Sequence, residues 1–161
     1  MSIVRFIHFF VFIFWYGTLL YFTFVQAPVL FKTLPLRQFG EVQSRLFPVY
    51  YWIAYVCGTL LVATFPFLHP LKNASGREFV RMAALCLMLL VSLGQGFWAG
   101  PQASRLRLER QAAEDSGDAA QATLLSKAFG KAHGISSLMN LVVIIAGTVY
   151  WFYGFREVDP S

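Results

Sequence analysis

The residues best suited to chemistry lie in two related stretches of the sequence. Thr33–Gln43 reads Thr-Leu-Pro-Leu-Arg-Gln-Phe-Gly-Glu-Val-Gln, and Thr123–His133 repeats its Thr, Leu, Phe and Gly in register. Gln43 and His133 occupy equivalent positions, each directly before a long apolar run. An amide and an imidazole can exchange hydrogen bonds with a ligand, and a neutral imidazole can bind a metal ion. We therefore predict that the two stretches bring Gln43 and His133 to the same depth of one site.

The composition predicts that this site lies in a membrane. Of the 161 residues, 57% are hydrophobic and 13% are charged, against about 25% charged residues in soluble domains. A water-soluble chain of this length cannot bury so much apolar surface. The cations behind the net charge of +5 are spread over the ends of the apolar runs. This distribution favours the lipid bilayer and its anionic headgroups as partners over nucleic acid.

Four apolar runs are long enough to cross a bilayer, which takes about 20 helical residues. We predict an all-α fold, a four-helix transmembrane bundle in which two helical hairpins form a pseudo-twofold arrangement. One integral membrane domain covers 1–161, and the polar segment 102–132 is predicted to be a helical connection that turns at residues 116–118. The predicted helices are 3–27, 42–68, 79–100 and 134–155.

Prolines interrupt these runs. Phe24-x-x-x-Pro28 and Phe97-x-x-x-Pro101 share a spacing. Pro28 is predicted to end the first helix or to kink it, and Pro101 is predicted to follow the end of the third helix. Pro48 lies inside the second helix, where it leaves a backbone carbonyl without its usual donor. In lipid another helix, a side chain or water must satisfy that carbonyl.

Alternating helix directions collect most of the polar side chains in one leaflet, at the end of the long connections. There the fourth helix carries a polar stripe at the i, i+3, i+4 and i+7 spacing of one helix face, from His133 to Asn140. Polar groups at this depth mark a binding site, or they join helices by hydrogen bonds. The predicted ligand-binding residues are Gln43, Ser44, Arg45, Gln95, His133, Ser137 and Asn140, and the predicted structural residues are Gly40, Pro48, Pro101 and Gly134.

Three further predictions concern the other two histidines, the oligomeric state and the orientation in the membrane. His8 and His69, in the opposite leaflet, are predicted to be interfacial residues rather than ligands. Ala54-x-x-x-Gly58 permits close helix approach and a homodimer. The Lys and Arg residues favour the two long connections, which places these in the cytoplasm of a bacterial inner membrane and the termini outside.

Two motifs resemble the transmembrane-protein-205-like family, also described as domain-of-unknown-function family 4149. One runs from Leu34-Pro35 through Phe39-Gly40 to Phe47-Pro48, and the other is His133-Gly134-x-Ser136-Ser137-Leu138-x-Asn140. The resemblance implies a four-span integral membrane protein and a site at these motif residues. The layout is more distantly similar to copper-resistance-D-type and haem-pathway membrane proteins, which implies metal or haem handling.

Three function classes follow. The first is a membrane protein that binds or transports a metal ion or a small polar or cationic solute. The second is a membrane enzyme or carrier for haem, quinone or lipid, with His133 as ligand or general base. The third is a structural or assembly protein. No cofactor is identified by the sequence, and a metal ion or haem stays open.

Overall fold

A computed structural model describes residues 3–69 and 75–155, and these residues form long helices without a β-strand. Helix α1 spans Ile3–Thr33, α2 spans Leu36–Leu68, α3 spans Gly76–Asp115 and α4 spans Ala119–Phe155. Each is long and apolar enough to cross a membrane. The predicted all-α, four-helix transmembrane bundle is confirmed.

The helices are longer than predicted. Helix α3 continues past residue 100 to Asp115, and α4 begins at Ala119 instead of residue 134. Both helices are longer because the Ala, Gln, Glu and Arg residues of the polar segment favour helix. The two extended ends form the predicted helical hairpin. Its turn lies where it was predicted, at residues 116–118, with Gly117 in the left-handed region at φ 77°.

Pro28 and Pro101 do not end their helices, so the predicted helix ends at residues 27 and 100 are wrong. A π-helical turn precedes each of them, at Phe22–Gln26 in α1 and at Gln95–Ala99 in α3. The residue after each turn donates its N–H to the carbonyl five residues back, and Pro28 or Pro101 follows at once. The wider turn accommodates the proline ring and its missing N–H, so the helix continues. This repeat of turn and proline supports the pseudo-twofold arrangement, which stays a prediction.

Apolar side chains at three- and four-residue intervals fill the middle of the bundle. Large apolar residues also cover the outer surface, as expected where helices face lipid. The core residues come from all four helices and are Phe12, Trp15, Leu19, Tyr50, Tyr51, Ala54, Cys57, Leu61, Phe65, Ala84, Leu85, Met88, Val143, Ala146 and Tyr150. The centre of the bundle is therefore dry.

Glycines allow close contacts inside the chain. A Cβ atom at Gly58 would lie 2.9 Å from Leu89 of α3 and 3.2 Å from Trp15 of α1, and Ala54 is fully buried. The Ala54-x-x-x-Gly58 motif thus packs within the bundle and is not an interface for a second copy of the chain. A homodimer stays a prediction, and it would form through another surface.

We expect Gly147→Ala to lower the free energy of unfolding by about 1–3 kcal/mol, the usual cost of overpacking. A Cβ atom there would overlap the Tyr16 ring. The hydroxyl of that ring donates to the Ile144 carbonyl (3.1 Å) and shares a second hydrogen bond with the Thr148 hydroxyl (2.7 Å). Unfolding in detergent micelles, followed by circular dichroism, measures the change.

Gly130→Ala in the same helix is the matched control. Nothing lies within 4 Å of a Cβ atom at this position, so the higher helix propensity of alanine makes the variant neutral or stabilised by up to about 1 kcal/mol. Equal effects of the two substitutions would contradict the close contact at Gly147.

Candidate functional site

A layer of amide and hydroxyl groups joins all four helices near the hairpin end of the bundle. The Gln26 amide donates to the Gln43 carbonyl oxygen (2.9 Å) and joins α1 to α2. The Asn140 amide donates to the Thr23 hydroxyl (2.8 Å) and joins α4 to α1, and the Gln95 amide donates to the backbone carbonyl of Ser136 (3.1 Å), joining α3 to α4. We call these residues the amide layer: Thr23, Gln26, Gln43, Gln95, Ser136 and Asn140.

The π turns supply half of the amide layer. Thr23 and Gln26 lie in the first turn, and Gln95 opens the second. The Thr23 hydroxyl donates its single proton to the Leu19 carbonyl (2.9 Å), which leaves its oxygen to accept from Asn140. Single π turns within α-helices occur frequently at functional sites.

Some polar atoms of this region have no hydrogen-bond partner among the described residues. They are the side-chain oxygens of Gln26, Tyr50, Ser92 and Gln95, all buried from solvent. Gln95 is 3% exposed and Ser92 is 0% exposed, so their oxygens lie inside the bundle, whereas Gln26 is half-buried. In a membrane interior an unsatisfied polar group costs several kcal/mol. The amide layer therefore carries hydrogen-bonding capacity beyond what joining the helices uses.

The structure brings together three of the seven predicted ligand-binding residues, Gln43, Gln95 and Asn140. Ser44 is half-buried, and its hydroxyl donates to the Glu41 carbonyl of its own helix (2.7 Å). The other three, Arg45, His133 and Ser137, are exposed.

His133 does not join the amide layer. Its ring stacks on Phe129 with centroids 5.9 Å apart, on the exposed side of α4. The two related stretches have different backbones, because the first contains the break between α1 and α2 at residues 34–35 whereas the second lies within the uninterrupted α4. Gln43 and His133 are equivalent in the sequence repeat, but Gln43 is therefore buried and His133 is exposed.

The predicted structural residues also differ in their surroundings. A Cβ atom at Gly40 would lie 3.0 Å from the Arg107 side chain, so the start of α2 approaches the hairpin closely there. Gly134 has open space around it. Pro48 is exposed within α2, which passes through it, and Pro101 follows the second π turn.

A second polar layer lies at the opposite end of the bundle. Thr64 donates its hydroxyl proton to the Leu60 carbonyl (2.6 Å), so its oxygen accepts from Nδ1 of His8 (2.7 Å). This network assigns the proton of the neutral imidazole to Nδ1. Nε2 of His8 then accepts from the Tyr150 hydroxyl (2.6 Å). The chain of hydrogen bonds connects α4, α1 and α2.

Arg81 of α3 completes this second layer. Its guanidinium lies 5.1 Å from the ring centroid of Tyr150 and 5.5 Å from that of Phe65, and approaches Nε2 of His69 (3.4 Å). His69 in turn lies 3.7 Å from the Glu78 carboxylate. Arg81 is 1% exposed, and its cation–π contacts offset part of the cost of burying a charge. We call these residues the basic layer: His8, Thr64, Phe65, His69, Glu78, Arg81 and Tyr150.

The sequence interpretation of this end was incomplete. His8 is 2% exposed, so the prediction that it is an interfacial residue is wrong. Its two hydrogen bonds satisfy both ring nitrogens and permit burial. Arg81 was missed altogether, although an arginine inside an apolar run signals a functional or pairing role in a membrane protein. His8 and Thr23 are separated by about 20 Å along α1 at 1.5 Å per residue, and the dry core lies between the two layers.

Among residues 3–69 and 75–155, no three His, Cys, Asp or Glu side chains come together in a group that could hold a metal ion. The polar atoms of the amide layer belong to amides, hydroxyls and a backbone carbonyl. Such groups suit a ligand that donates hydrogen bonds, or a weakly hydrated cation.

Comparison with known proteins identifies the family. Residues 10–112 match the family model described as "Domain of unknown function (DUF4149)". The chain belongs to the DUF4149 family. It is 25% identical over 170 residues to "Transmembrane protein 205" of Danio rerio, an alignment that covers 93% of this chain and 90% of the relative. An "Uncharacterized protein" of Aquifex aeolicus is 31% identical over 125 residues, covering 78% of this chain and 76% of that protein.

No solved structure is significantly similar to the chain. The family predicted from the sequence motifs is confirmed, and the remoter likeness to copper-resistance-D-type proteins stays a hypothesis. The residues that match the DUF4149 model include both π turns and four members of the amide layer, Thr23, Gln26, Gln43 and Gln95.

For this DUF4149 protein we expect the hydrogen bond between His8 and Tyr150 to contribute measurably to stability. A double-mutant cycle of His8→Ala and Tyr150→Phe isolates the pairwise energy. We expect a coupling of about 0.6–2 kcal/mol, the range for hydrogen bonds between membrane helices. Unfolding of the four proteins in detergent micelles provides the values.

His133→Ala serves as the control because its imidazole is exposed. We expect it to change the free energy of unfolding by less than about 0.5 kcal/mol, as surface substitutions usually do. A coupling near zero in the cycle would show that the buried hydrogen bond adds nothing to the stability of the bundle.

Proposed function

We propose that this integral membrane protein binds and transports a small polar or cationic solute through the amide layer, which the solute enters from the hairpin end. The observation that carries the proposal is the pair of buried side-chain oxygens of Gln26 and Gln95. Each sits on a π turn and has no hydrogen-bond partner among the described residues. Both amide N–H groups are used between helices, so the oxygens are left to accept from a solute.

The cost of leaving buried amide oxygens unpaired favours a binding role for the amide layer over a purely adhesive role. An amide that only joins helices gains most when both its donor and its acceptor are paired, since an unpaired buried group costs about 1–3 kcal/mol. The oxygen of Gln43 fits the adhesive pattern, because it accepts from Gln26. Gln26 and Gln95 do not, and a solute that donates hydrogen bonds would compensate the cost.

The π turns also support a transport role. The dry core between the amide layer and the basic layer closes the bundle in this conformation. A solute can cross only if helices bend or slide, and sharp bends in helices occur at prolines and π turns. Pro28 and Pro101 follow the turns that carry Gln26 and Gln95, so bending there would move the acceptors and open the core together. This coupling is what alternating access to a site requires.

The half-buried Ser44 and the exposed Arg45, His133 and Ser137 belong to the proposal as an outer rim. They lie on the segments of α2 and α4 that lead into the amide layer, beside Gln43 and Ser136. We propose that the rim receives the solute near the headgroups. We also keep the proposed orientation, with the hairpin end in the cytoplasm of a bacterial inner membrane and anionic headgroups around it.

A structural or assembly protein is the second candidate. The hydrogen bonds from α2 to α1, from α1 to α4 and from α4 to α3 favour it, because together they hold the bundle. The two functions differ in what the unpaired oxygens do. An assembly role needs only the bonds made by the N–H groups, whereas binding needs the oxygens.

Uptake into proteoliposomes tests the proposal. We expect the wild-type protein to accelerate entry of at least one member of a panel of methylammonium, choline, glycerol and Co²⁺. Gln26→Leu and Gln95→Leu should each slow that uptake by at least about ten-fold, because about 1.5–3 kcal/mol is lost with a hydrogen bond to a charged donor. Gln102→Leu is the matched control, since this glutamine of α3 is exposed and makes no contact with the layer.

Unfolding measurements on the same three variants separate the two candidates. Lower stability of Gln26→Leu and Gln95→Leu with wild-type uptake would support an assembly role. Uptake of every panel member at the rate of protein-free liposomes would contradict transport.

A further inference from the structure

Two adjacent tyrosines of α2 connect the two π turns. The Tyr50 ring lies 5.6 Å from the Phe22 ring, which belongs to the first turn. The Tyr51 ring lies against the second turn, where Cβ atoms at Gly96 and Gly100 would each be 3.1 Å from it. Both tyrosines are buried, at 3% and 8% exposure.

The tyrosine rings and the unpaired amide oxygens share one region. Gln26 lies on the same π turn as Phe22, the neighbour of Tyr50. Gln95 opens the other turn, against which the Tyr51 ring lies, and donates to the Ser136 carbonyl. The rings of Tyr50 and Tyr51 have centroids 5.7 Å apart and are inclined by 59°, so they meet at an angle and do not stack face to face.

We infer that the solute is an organic ammonium cation, which Tyr50 and Tyr51 recognise by cation–π attraction while the oxygens of Gln26 and Gln95 accept its N–H groups or contact its charged head. This inference rests on the proposed function and specifies its substrate class. Aromatic faces attract a cation within about 6 Å of the ring centroid, and more strongly when water is excluded, as it is in a membrane interior.

The charges of the molecule agree with a cation in this place. Arg81 is held in the basic layer at the other end of the bundle, about 20 Å away along α3 at 1.5 Å per residue. Arg45 of the outer rim is exposed. The amide layer itself supplies neutral oxygens, which suit a weakly hydrated organic cation. Small divalent cations such as Mg²⁺ dehydrate reluctantly and prefer carboxylates.

Binding of choline to the purified protein in nanodiscs, measured by calorimetry, tests the inference. The comparison ligand is 3,3-dimethyl-1-butanol, which has the shape of choline without its charge. We expect choline to bind at least about ten-fold more tightly, since cation–π attraction at a site without water contributes about 2 kcal/mol or more and 1.4 kcal/mol corresponds to ten-fold.

Substitution of the rings locates the interaction. Tyr50→Phe and Tyr51→Phe keep the aromatic face and should retain choline affinity within about three-fold, whereas Tyr50→Leu and Tyr51→Leu should lose about ten-fold or more. Trp52→Leu is the control, because this neighbouring aromatic residue of α2 is 68% exposed. If a leucine variant fails to fold, the two phenylalanine variants and the comparison of ligands on the wild-type protein decide.

Each outcome separates this inference from the proposed function. Equal binding of choline and its neutral isostere, or loss of choline binding in the phenylalanine variants, overturns ammonium recognition. So does uptake of glycerol or Co²⁺ without binding of choline, and in that case the proposed transport through Gln26 and Gln95 still stands. Binding of choline that depends on the two rings supports the inference even if uptake proves slow.

Discussion

In a bilayer, backbone N–H and C=O groups cannot hydrogen-bond to water. This constraint governs the structure at Pro28 and Pro101, two of the prolines within the long helices. Pro28 and Pro101 each remove a helical hydrogen bond in the membrane, and each is preceded by a π turn that lets the helix continue. Thr23 and Gln26 on the first turn are half-buried, Gln95 on the second turn is buried, and all three form hydrogen bonds between helices. Half of the amide layer thus lies on the two turns that precede these prolines.

The bundle is polar at both ends and dry between them. At the hairpin end neutral amides link the helices, and at the other end a neutral imidazole and a buried guanidinium do so. Small residues such as Gly58 and Gly147 allow the middle to close tightly. Lipid gives little hydrophobic drive for helix association, so such close packing and interhelical hydrogen bonds must hold the helices together. The distinction between the two layers is chemical, since only the amide layer presents unpaired neutral acceptors among the described residues.

The architecture agrees with membership of the DUF4149 family, whereas the chemistry of the protein is indicated by the residues of the candidate site. The three glutamines of the amide layer and both π turns lie within residues 10–112, which match the family model. Asn140 and Ser136 lie beyond it on α4, where they complete the layer by bonding to Thr23 and Gln95. A site divided in this way depends on how α4 packs against the helices before it, and not on any one motif.

Hydropathy alone determined that the chain crosses a membrane four times, because a span of about 20 apolar residues has few alternatives to a helix in lipid. It also placed the hairpin turn and indicated one polar leaflet, since alternating helices must bring Gln43, Gln95 and Asn140 to the same end. Tertiary structure decided which polar residues face inward. The repeat made Gln43 and His133 equivalent, yet an uninterrupted α4 leaves His133 outside. His8 and Arg81 became interior residues only through Thr64, Tyr150 and His69, partners distant in sequence. Local patterns determine helices, whereas the rotation of each helix depends on contacts that no local pattern encodes.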